Sequence, residues 1–348
     1  MKIIGCDFHP SYQQFAMVDT ETSELVEGRL EHEQGQARRF YEALAGQHVR
    51  VGVEATGNMQ WFEQMLAEMG HELWVGDAAQ IRQLVVRQQK TDRRDARHIL
   101  TLLRDGRFPR LWVPSVEMRD VRQLLRHRQK LVEFRTQVKN QLQHLALNQG
   151  VRRKRRLWSR QGRVVLEGLP LRGWTAQRRQ DLLTMLDQMD AHVAELDKAV
   201  RREAEQRPAV RLLMTHPGVG PVVGLAYVLT VGPVERFPRG KQVASYLGLI
   251  PREHSSGGRQ KFGAISKQGN TLMRTLLVEA AQTASRFDEE LRRDYCRLKA
   301  RRHSALAKVM VARKLAVRMY WMLRENKAYS PRLVARTQGS PSHPVVAG

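Results

Sequence analysis

The segment Lys90-Thr91-Asp92-Arg93-Arg94-Asp95-Ala96-Arg97-His98-Ile99-Leu100 decides how the first third of this chain is interpreted. Asp92 and Asp95 lie three residues apart at the start of an apolar pattern of helical period, so both carboxylates are expected on one helix face. Such a pair can help to hold a metal ion. The alternative is an ordinary first helical turn, with Asp92 as the N-cap and both acids favourable to the helix dipole.

Two acids further upstream favour the metal site. Asp7 lies in the apolar segment Ile3-Ile4-Gly5-Cys6-Asp7-Phe8-His9, and Glu54 ends the apolar run Val51-Gly52-Val53-Glu54. A carboxylate at the end of a buried strand costs free energy unless it is paired or bound to a metal. These two acids and the pair at the helix start are therefore predicted to form one four-carboxylate site. Because its ligands are all oxygens, the hard cation Mg²⁺ is the expected metal.

The charge of the chain indicates a polyanionic partner. Its 348 residues carry a formal net charge of +24 and a pI near 10.9. Such an excess of cations indicates nucleic acid first and an anionic membrane second. The excess is uneven, because residues 1–77 carry 13 acids and 5 Lys or Arg, whereas the rest of the chain is net +32. An acidic module is thus joined to a basic one.

The cysteines and the apolar runs bear on the cellular setting. Cys6 and Cys296 are far apart and have no CxxC partner, which predicts neither a disulfide framework nor a zinc site and fits a reducing cytoplasm. No apolar run approaches the roughly 20 residues of a membrane span, and no signal-peptide pattern precedes Asp7. A cytoplasmic protein without a membrane partner is expected.

The order of the predicted elements defines an α/β N-terminal domain. The elements are strands 2–9, 14–20 and about 24–30, a helix near 34–46, strand 49–54, helix 58–69, strand 72–76 and the helix entered near Asp92. This is the order of the ribonuclease H-like fold, in which one acid lies on the first strand and another ends the fourth. Asp7 and Glu54 fall at these two positions.

Two long helical patterns follow, at about 115–148 and about 177–206. Their apolar residues recur at intervals of three, four or seven. They are predicted to form an antiparallel helical hairpin or coiled coil, used either as an internal arm or as a dimer contact. Between them lies a basic run of five residues, Arg152, Arg153, Lys154, Arg155 and Arg156. We interpret this run as a phosphate-binding tip, since counterion release favours phosphate contacts whatever the base. The alternative is a solvated, mobile segment.

The C-terminal part, predicted to be mainly α-helical, contains two turns suited to phosphate. In His216-Pro217-Gly218-Val219-Gly220-Pro221 the glycines Gly218 and Gly220 precede an apolar helix. They can free backbone N–H groups for a phosphate, as in helix-hairpin-helix modules, or can simply make a tight turn that needs a positive φ.

The second turn is a serine loop, Ser255-Ser256-Gly257-Gly258, followed by the cations Arg259, Lys261 and Lys267. Small residues beside a serine suit a hydroxyl that must approach a phosphodiester closely. The alternative is that the serines are ordinary turn residues. An apolar helix follows the loop, and another helix is predicted at roughly 304–325.

In order along nearly the whole chain, these motifs resemble the DEDD transposases of the insertion sequence 110 family. The resemblance rests on Gly-Cys-Asp7-Phe-His, Val-Glu54-Ala-Thr-Gly, Lys-Thr-Asp92-Arg-Arg-Asp95-Ala, the Pro-Gly-Val-Gly turn and Gly-Leu-Ile-Pro-Arg-Glu-His-Ser-Ser256-Gly-Gly. It implies a RuvC-like N-terminal domain, a coiled-coil connector and a C-terminal domain with an essential serine. It also implies a homo-oligomer, a dimer or tetramer, that exchanges strands between element and target DNA, and a structured guide RNA that pairs with both DNAs.

The resemblance assigns the nucleophile and the domains. Ser256 matches the serine directly before glycine in the family motif and is preferred over Ser255, although spacing alone does not distinguish them. The expected domains are the RuvC-like catalytic domain 1–110, the connector with its basic tip 111–207, the transposase domain 208–326 and a flexible tail 327–348.

Two other functional classes stay open at this point. A RuvC-like nuclease that uses metal-activated water would need the four acids but not the serine. A non-catalytic nucleic-acid-binding protein would need neither the acids nor the serine.

Overall fold

The protein forms two units, Met1–Val113 and Pro114–Gly348, in a computed structural model that describes residues 1–85, 91–152, 155–253, 262–301 and 303–330. The first unit is mixed α/β, and the described part of the second is helical apart from one two-stranded sheet. A mixed α/β N-terminal part followed by a helical C-terminal part is therefore confirmed.

A five-stranded sheet organises the first unit. In chain order its elements are β1 (Lys2–Phe8), β2 (Tyr12–Asp19), β3 (Leu25–Glu31), α1 (Gln36–Glu42), β4 (Val49–Glu54), α2 (Gln60–Glu68), β5 (Glu72–Gly76), α3 (Ala78–Gln83) and α4 (Asp92–Arg104). The strands lie in the order β3-β2-β1-β4-β5. The β1–β2 and β2–β3 pairs are antiparallel, and the β1–β4 and β4–β5 pairs are parallel.

The central strand β1 is buried on both faces, as its unbroken apolar sequence predicts. Ile4 and Cys6 pack into a core on one side, together with Phe62 of α2. Ile3 packs on the other side with Ile99 of α4. Alternation along the strand therefore assigns Asp7, which shares the parity of Ile3, to the side that α4 covers.

Two glycines let α4 lie close to the sheet. A Cβ on Gly5 of β1 would lie 2.9 Å from Leu100 Cα and nearer still to the backbone oxygen of Ala96. A Cβ on Gly52 of β4 would lie 2.5 Å from Leu103 Cδ1. A larger residue at Gly5 would meet helix backbone and force α4 away from β1, so Gly5 sets the distance between them, whereas a larger residue at Gly52 would meet only the Leu103 side chain.

The second unit continues with α5 (Val116–Asn148), a 3₁₀ turn (Arg155–Trp158), α6 (Arg160–Glu167), α7 (Gly173–Gln206), α8 (Pro208–Met214), α9 (Pro221–Val231), a 3₁₀ turn (Val234–Arg236), α10 (Gly240–Tyr246), β6 (Pro251–Glu253), β7 (Phe262–Ile265), α11 (Thr271–Phe287), α12 (Glu289–Arg301) and α13 (Ser304–Arg324). Across the ranges that the structure describes, no helix is both long and apolar enough to cross a bilayer.

The long helices α5 and α7 form an antiparallel hairpin within the chain. Arg128 Nε lies 2.5 Å from Asp197 Oδ1, and Arg135 Nη1 lies 3.1 Å from Asp190 Oδ1. A residue later in α5 thus pairs with a residue earlier in α7, so the two helices are antiparallel, as predicted from the sequence. A contact of this hairpin with a second chain stays a prediction.

The hairpin contributes to two separate cores. Near its base, Val121 and Leu125 of α5 and Val200 of α7 belong to the main core, which includes residues of α8, α9, α11 and α13. At its far end, a second group that we call the hairpin-end core contains Leu142 of α5 and Leu183 of α7. The described part of the second unit is thus held together at both ends of the same two helices.

Candidate functional site

The first turn of α4 carries Asp92 and Asp95. Thr91 caps the helix, because its side-chain oxygen accepts a hydrogen bond from the Arg94 backbone N–H at 3.4 Å. The alternative in which Asp92 is the N-cap is therefore wrong, and Asp92 is the first residue inside the helix. Its carboxylate is left available for other partners, in a position that the helix dipole also favours.

The end of β1 brings two more side chains to the same place. His9 Nε2 is 3.2 Å from Asp7 Oδ2 and 3.8 Å from Asp92 Oδ2. One ligand atom from each of these three residues lies within 4.8 Å of the other two. Two of the four predicted acids, Asp7 and Asp92, are therefore brought together. His9, to which the sequence motif assigned no role, lies with them.

The electrostatics of Asp7 reflect this crowding. Burial raises the pKa of Asp7 above its ordinary value, and His9 opposes that rise through its charge and its hydrogen bond. The carboxylates of Asp95 and Asp92 raise the pKa of Asp7 further. Asp95 is thus close enough to act on Asp7, although it does not belong to the three-residue group. Negative charge concentrated in this way is stabilised by a cation.

Glu54 is the last residue of β4, as predicted, and lies beside the end of β1. The parallel register pairs Cys6 with Val53, so Asp7 and Glu54 are the next residues along the two strands. The Glu54 carboxylate has a different partner, however, because Arg82 Nη2 donates to its Oε1 at 2.9 Å. The structure brings the Glu54 backbone to the site and engages its side chain with Arg82.

Tyr12 is a residue of this site that sequence reasoning missed. Its hydroxyl donates to Asp92 Oδ2 at 2.8 Å, and this hydrogen bond raises the pKa of Tyr12. The Tyr12 ring stacks on His9 with 4.7 Å between centroids, and the Arg29 guanidinium lies 3.7 Å from its centroid. His9 could have been found from its spacing of two from Asp7, which is the spacing of one strand face. No local signal identifies Tyr12.

The basic run lies at the far end of the hairpin, between α5 and α6. Two of its residues have described side chains, and both Arg152 and Arg156 are exposed. Outside the described residues lie Arg153, Lys154 and the side chain of Arg155. The two exposed arginines are accessible to a phosphate backbone.

The segment that follows the basic run is folded. Leu157 and Leu166 are buried in the hairpin-end core. Arg163 makes a bidentate ion pair with Asp187 of α7, and both N–O distances are 2.8 Å. It also donates to Glu167 Oε1 at 2.6 Å. Arg163 therefore fastens α6 to α7, a structural use of this arginine.

The glycines of the predicted phosphate turn differ from each other. Gly218 has a φ of 88°, and a Cβ there would lie 2.8 Å from Ala280 O and 3.0 Å from Ala284 Cα of α11. That geometry matches the alternative of a tight turn. Gly220 is the N-cap of α9, and a Cβ there would have nothing within 4 Å. Space for a ligand exists beside Gly220.

The serine loop lies between β6 and β7. Its predicted functional residues Ser255, Ser256, Arg259 and Lys261 lie outside the described residues. Lys267, after β7, is exposed, with a φ of 57°. Asn270 then caps α11, because its Oδ1 accepts the Met273 backbone N–H at 3.0 Å.

Comparisons with known proteins agree with these features. A DEDD transposase model of the IS110 type matches residues 4–149, and the model described as the transposase IS116/IS110/IS902 family matches residues 210–296. A probable family 20 transposase of Pseudomonas aeruginosa is 29% identical over 293 residues, covering 81% of this chain and 84% of that protein.

Two further relatives have similar coverage. The transposase for insertion sequence element IS1111A of Coxiella burnetii is 26% identical over 296 residues, or 82% of this chain and 78% of the relative. The transposase for insertion sequence element IS1328 of Yersinia enterocolitica is 25% identical over 288 residues, which cover 78% of this chain and 83% of the relative. These similarities define a transposase. The two family models and these relatives together support an IS110-family transposase, an enzyme that acts on DNA.

Proposed function

We propose that this transposase cuts and rejoins DNA strands through a covalent link to Ser256, assisted by Mg²⁺ held at Asp7, Glu54, Asp92 and Asp95. The observation that carries the proposal is the convergence of Asp7 and Asp92 from the end of β1 and the start of α4. A water-using nuclease with the same acids is the second candidate, favoured by the same convergence.

The first unit is proposed to have the ribonuclease H-like, RuvC-like fold. The support is its strand order β3-β2-β1-β4-β5, with the first three strands antiparallel and β4 and β5 parallel to β1. A coiled-coil connector, residues 111–207, and a transposase domain, residues 208–326, are proposed to follow, and all of their residues except 111–113 belong to the second unit. The antiparallel α5–α7 hairpin supports the connector.

The residues present fit a divalent cation. Asp7 and Asp92 offer carboxylate oxygens within 4.8 Å of each other, and burial and the neighbouring acids raise the pKa of Asp7. Mg²⁺ prefers such oxygen ligands, so His9 is assigned to orienting Asp7 rather than to the metal. When the metal binds, the Glu54 carboxylate would release Arg82 and become a metal ligand. When bound, the ion supplies a Lewis acid that polarises the scissile phosphate or lowers the pKa of the attacking hydroxyl.

The chemistry assigned to Ser256 is a transesterification. Its hydroxyl oxygen bonds to the scissile phosphorus, the bond from phosphorus to the leaving deoxyribose oxygen breaks, and the hydroxyl proton ends on that oxygen. Rejoining reverses these steps with the hydroxyl of the other strand. Because one phosphoester replaces another, exchange needs no ATP, and the sequence has no Gly-x-x-x-x-Gly-Lys-Ser/Thr loop to bind it.

Nucleic-acid partners are proposed from charge and from the family resemblance. Exposed cations at the hairpin end and after β7, together with the open N-cap Gly220, are assigned to backbone phosphates. Arg259 and Lys261 are assigned to the phosphate that Ser256 attacks. The resemblance adds a guide RNA that pairs with element and target DNA, and a dimeric or tetrameric assembly.

The test is to trap the reaction on nicked or mismatched element DNA and to analyse it by denaturing gel and peptide mass spectrometry. A protein–DNA adduct at Ser256 is expected, and it should vanish in Ser256→Ala and persist in the matched control Ser255→Ala. Asp92→Asn and Asp95→Asn should abolish cleavage and retain DNA binding. An adduct at Ser255 would move the assignment by one residue. Efficient cleavage by Ser256→Ala without an adduct would instead support the water-using nuclease.

A further inference from the structure

A cavity of about 380 Å³ lies within the second unit, between α5, α9 and the start of α11. Arg122 and Arg126 of α5 line one side, Thr230 of α9 lines another, and Asn270 and Thr271 line the third. The remaining lining residues are apolar. None of these residues has a role in the chemistry proposed above.

Cations are concentrated on the α5 side of this cavity. The Arg122 guanidinium donates to the Leu229 carbonyl, with Nε at 3.0 Å, and is thereby held against α9. Burial lowers the pKa of Arg122, and repulsion from Arg126, Arg236 and Arg119 lowers it further. Positive charges held this close together repel one another, and an anion bound among them relieves the repulsion.

Arg126 is the lining cation that a ligand can reach most easily. Its side chain is exposed, and among the residues that the structure describes it makes no hydrogen bond or ion pair. The neighbouring Arg122 is oriented by α9, so the pair combines one fixed and one adaptable guanidinium. Guanidinium groups bind phosphate oxygens through charge-assisted, often paired hydrogen bonds.

The opposite side of the cavity adds polar groups and a helix dipole. Asn270 Nδ2 donates to Thr230 Oγ1 at 3.4 Å, and Arg274 Nη2 donates to Thr271 Oγ1 at 3.0 Å. The helix that starts here, α11, has 17 residues, so the positive end of its dipole faces the same cavity as the arginines.

Size and lining select the ligand. A volume of about 380 Å³ exceeds that of one phosphate group and falls in the range of small-ligand pockets. The apolar side chains of Leu125 and Leu272 lie beside the charged groups and suit a sugar ring. The cavity therefore matches an anionic group attached to a less polar body, as in one unit of a sugar–phosphate backbone.

We propose that this cavity is a phosphodiester subsite that takes one backbone phosphate of a DNA strand, with its sugar. The choice of DNA rests on the proposed function, because α11 is the first helix in sequence after the loop that contains Ser256, with β7 between them. The cationic cavity itself does not depend on that function.

The experiment measures equilibrium binding of a fluorescein-labelled single-stranded DNA to the full chain, in EDTA and over a series of salt concentrations. Arg126→Gln is expected to weaken binding about fivefold at 0.1 M salt and to lower the slope of log affinity against log salt by about 0.7, the loss of one phosphate contact. Arg126→Lys keeps the charge and should keep most of the slope. The matched control is Lys130→Gln, one turn further along α5 and outside the cavity, which should leave the slope unchanged.

Wild-type affinity and slope in Arg126→Gln would overturn the subsite. A second arm uses RNA of the same sequence, and an effect confined to RNA would overturn the assignment to DNA. Because Arg126 is exposed, the melting temperature of Arg126→Gln should match that of the wild type. A loss of binding can then be separated from a loss of folding. Binding without Mg²⁺ does not require the four acids or Ser256, so failure here and failure of the adduct experiment are distinguishable.

Discussion

Replacing Gly5 by alanine is expected to move the start of α4 and with it Asp92 and Asp95. The new Cβ would lie 2.9 Å from Leu100 Cα and nearer still to the Ala96 backbone oxygen. Carbon–oxygen contacts of this kind settle at about 3.3 Å or more, so strand and helix must separate by roughly 1 Å. The clash involves backbone atoms, and no side-chain rotation can relieve it.

The expected losses differ in size. Overpacking at such a position costs about 1–3 kcal/mol of unfolding free energy. A displacement of about 1 Å between catalytic groups can slow a reaction by about 100-fold. Strand exchange should therefore fall much further than the fraction of folded protein.

Gly52→Ala is the matched control. Gly52 lies on the neighbouring strand and faces the same helix, but its Cβ would meet a side chain, 2.5 Å from Leu103 Cδ1, which can turn aside. We expect a small drop in melting temperature and exchange within a few-fold of the wild type. Thermal unfolding followed by circular dichroism, together with strand exchange on element and target DNA, measures both quantities. Wild-type exchange in Gly5→Ala, or equal losses in both variants, would refute the reasoning.

Two further predictions concern the second unit. Burial lowers the pKa of His216 to about 4, whereas an unfolded histidine titrates near 6.5. The unfolded chain therefore binds more protons between these values, and lowering the pH from 7 to 5 should remove about 2 kcal/mol of unfolding free energy at this site. In urea unfolding, His216→Phe should lose that part of the pH dependence, whereas replacing the exposed His127 by Gln should keep it. Replacing Arg152 and Arg156 by Gln should weaken binding to all duplex DNA sequences alike and lower the salt slope by about 0.9 per lost phosphate contact. A changed target preference at constant slope would contradict a backbone-only role.

Much of the first unit could be predicted because its signals are local. The strands predicted at 49–54 and 72–76 have these bounds in the structure, and the helix predicted near Asp92 begins there. Asp7 and Glu54 could be chosen as candidate site residues because each lies at the end of an apolar strand. A carboxylate in that position indicates a partner or a metal without any knowledge of tertiary contacts.

Other features depend on contacts between distant parts of the chain. The hydrogen bond from Tyr12 to Asp92 joins residues 80 apart, and no local pattern selects it. The pairing of Glu54 with Arg82 likewise depends on where α3 lies, a helix of six residues too short to be recognised by periodicity. No helix was predicted at α6, because the basic run before it indicated a phosphate-binding tip and only eight residues form the helix, whereas buried Leu166 holds it in the hairpin-end core.

The two cores of the α5–α7 hairpin have a consequence for how the protein opens and how it can evolve. The main core and the hairpin-end core have no residue in common, and between them the ion pairs Arg128–Asp197 and Arg135–Asp190 connect the helices. Local opening at the far end can therefore occur while the main core stays intact, as in proteins that unfold in separate cooperative segments. Whole helical turns could also be gained or lost between the cores without rebuilding either one. The reach of the basic tip is thus a length that selection can adjust independently of the fold that carries it.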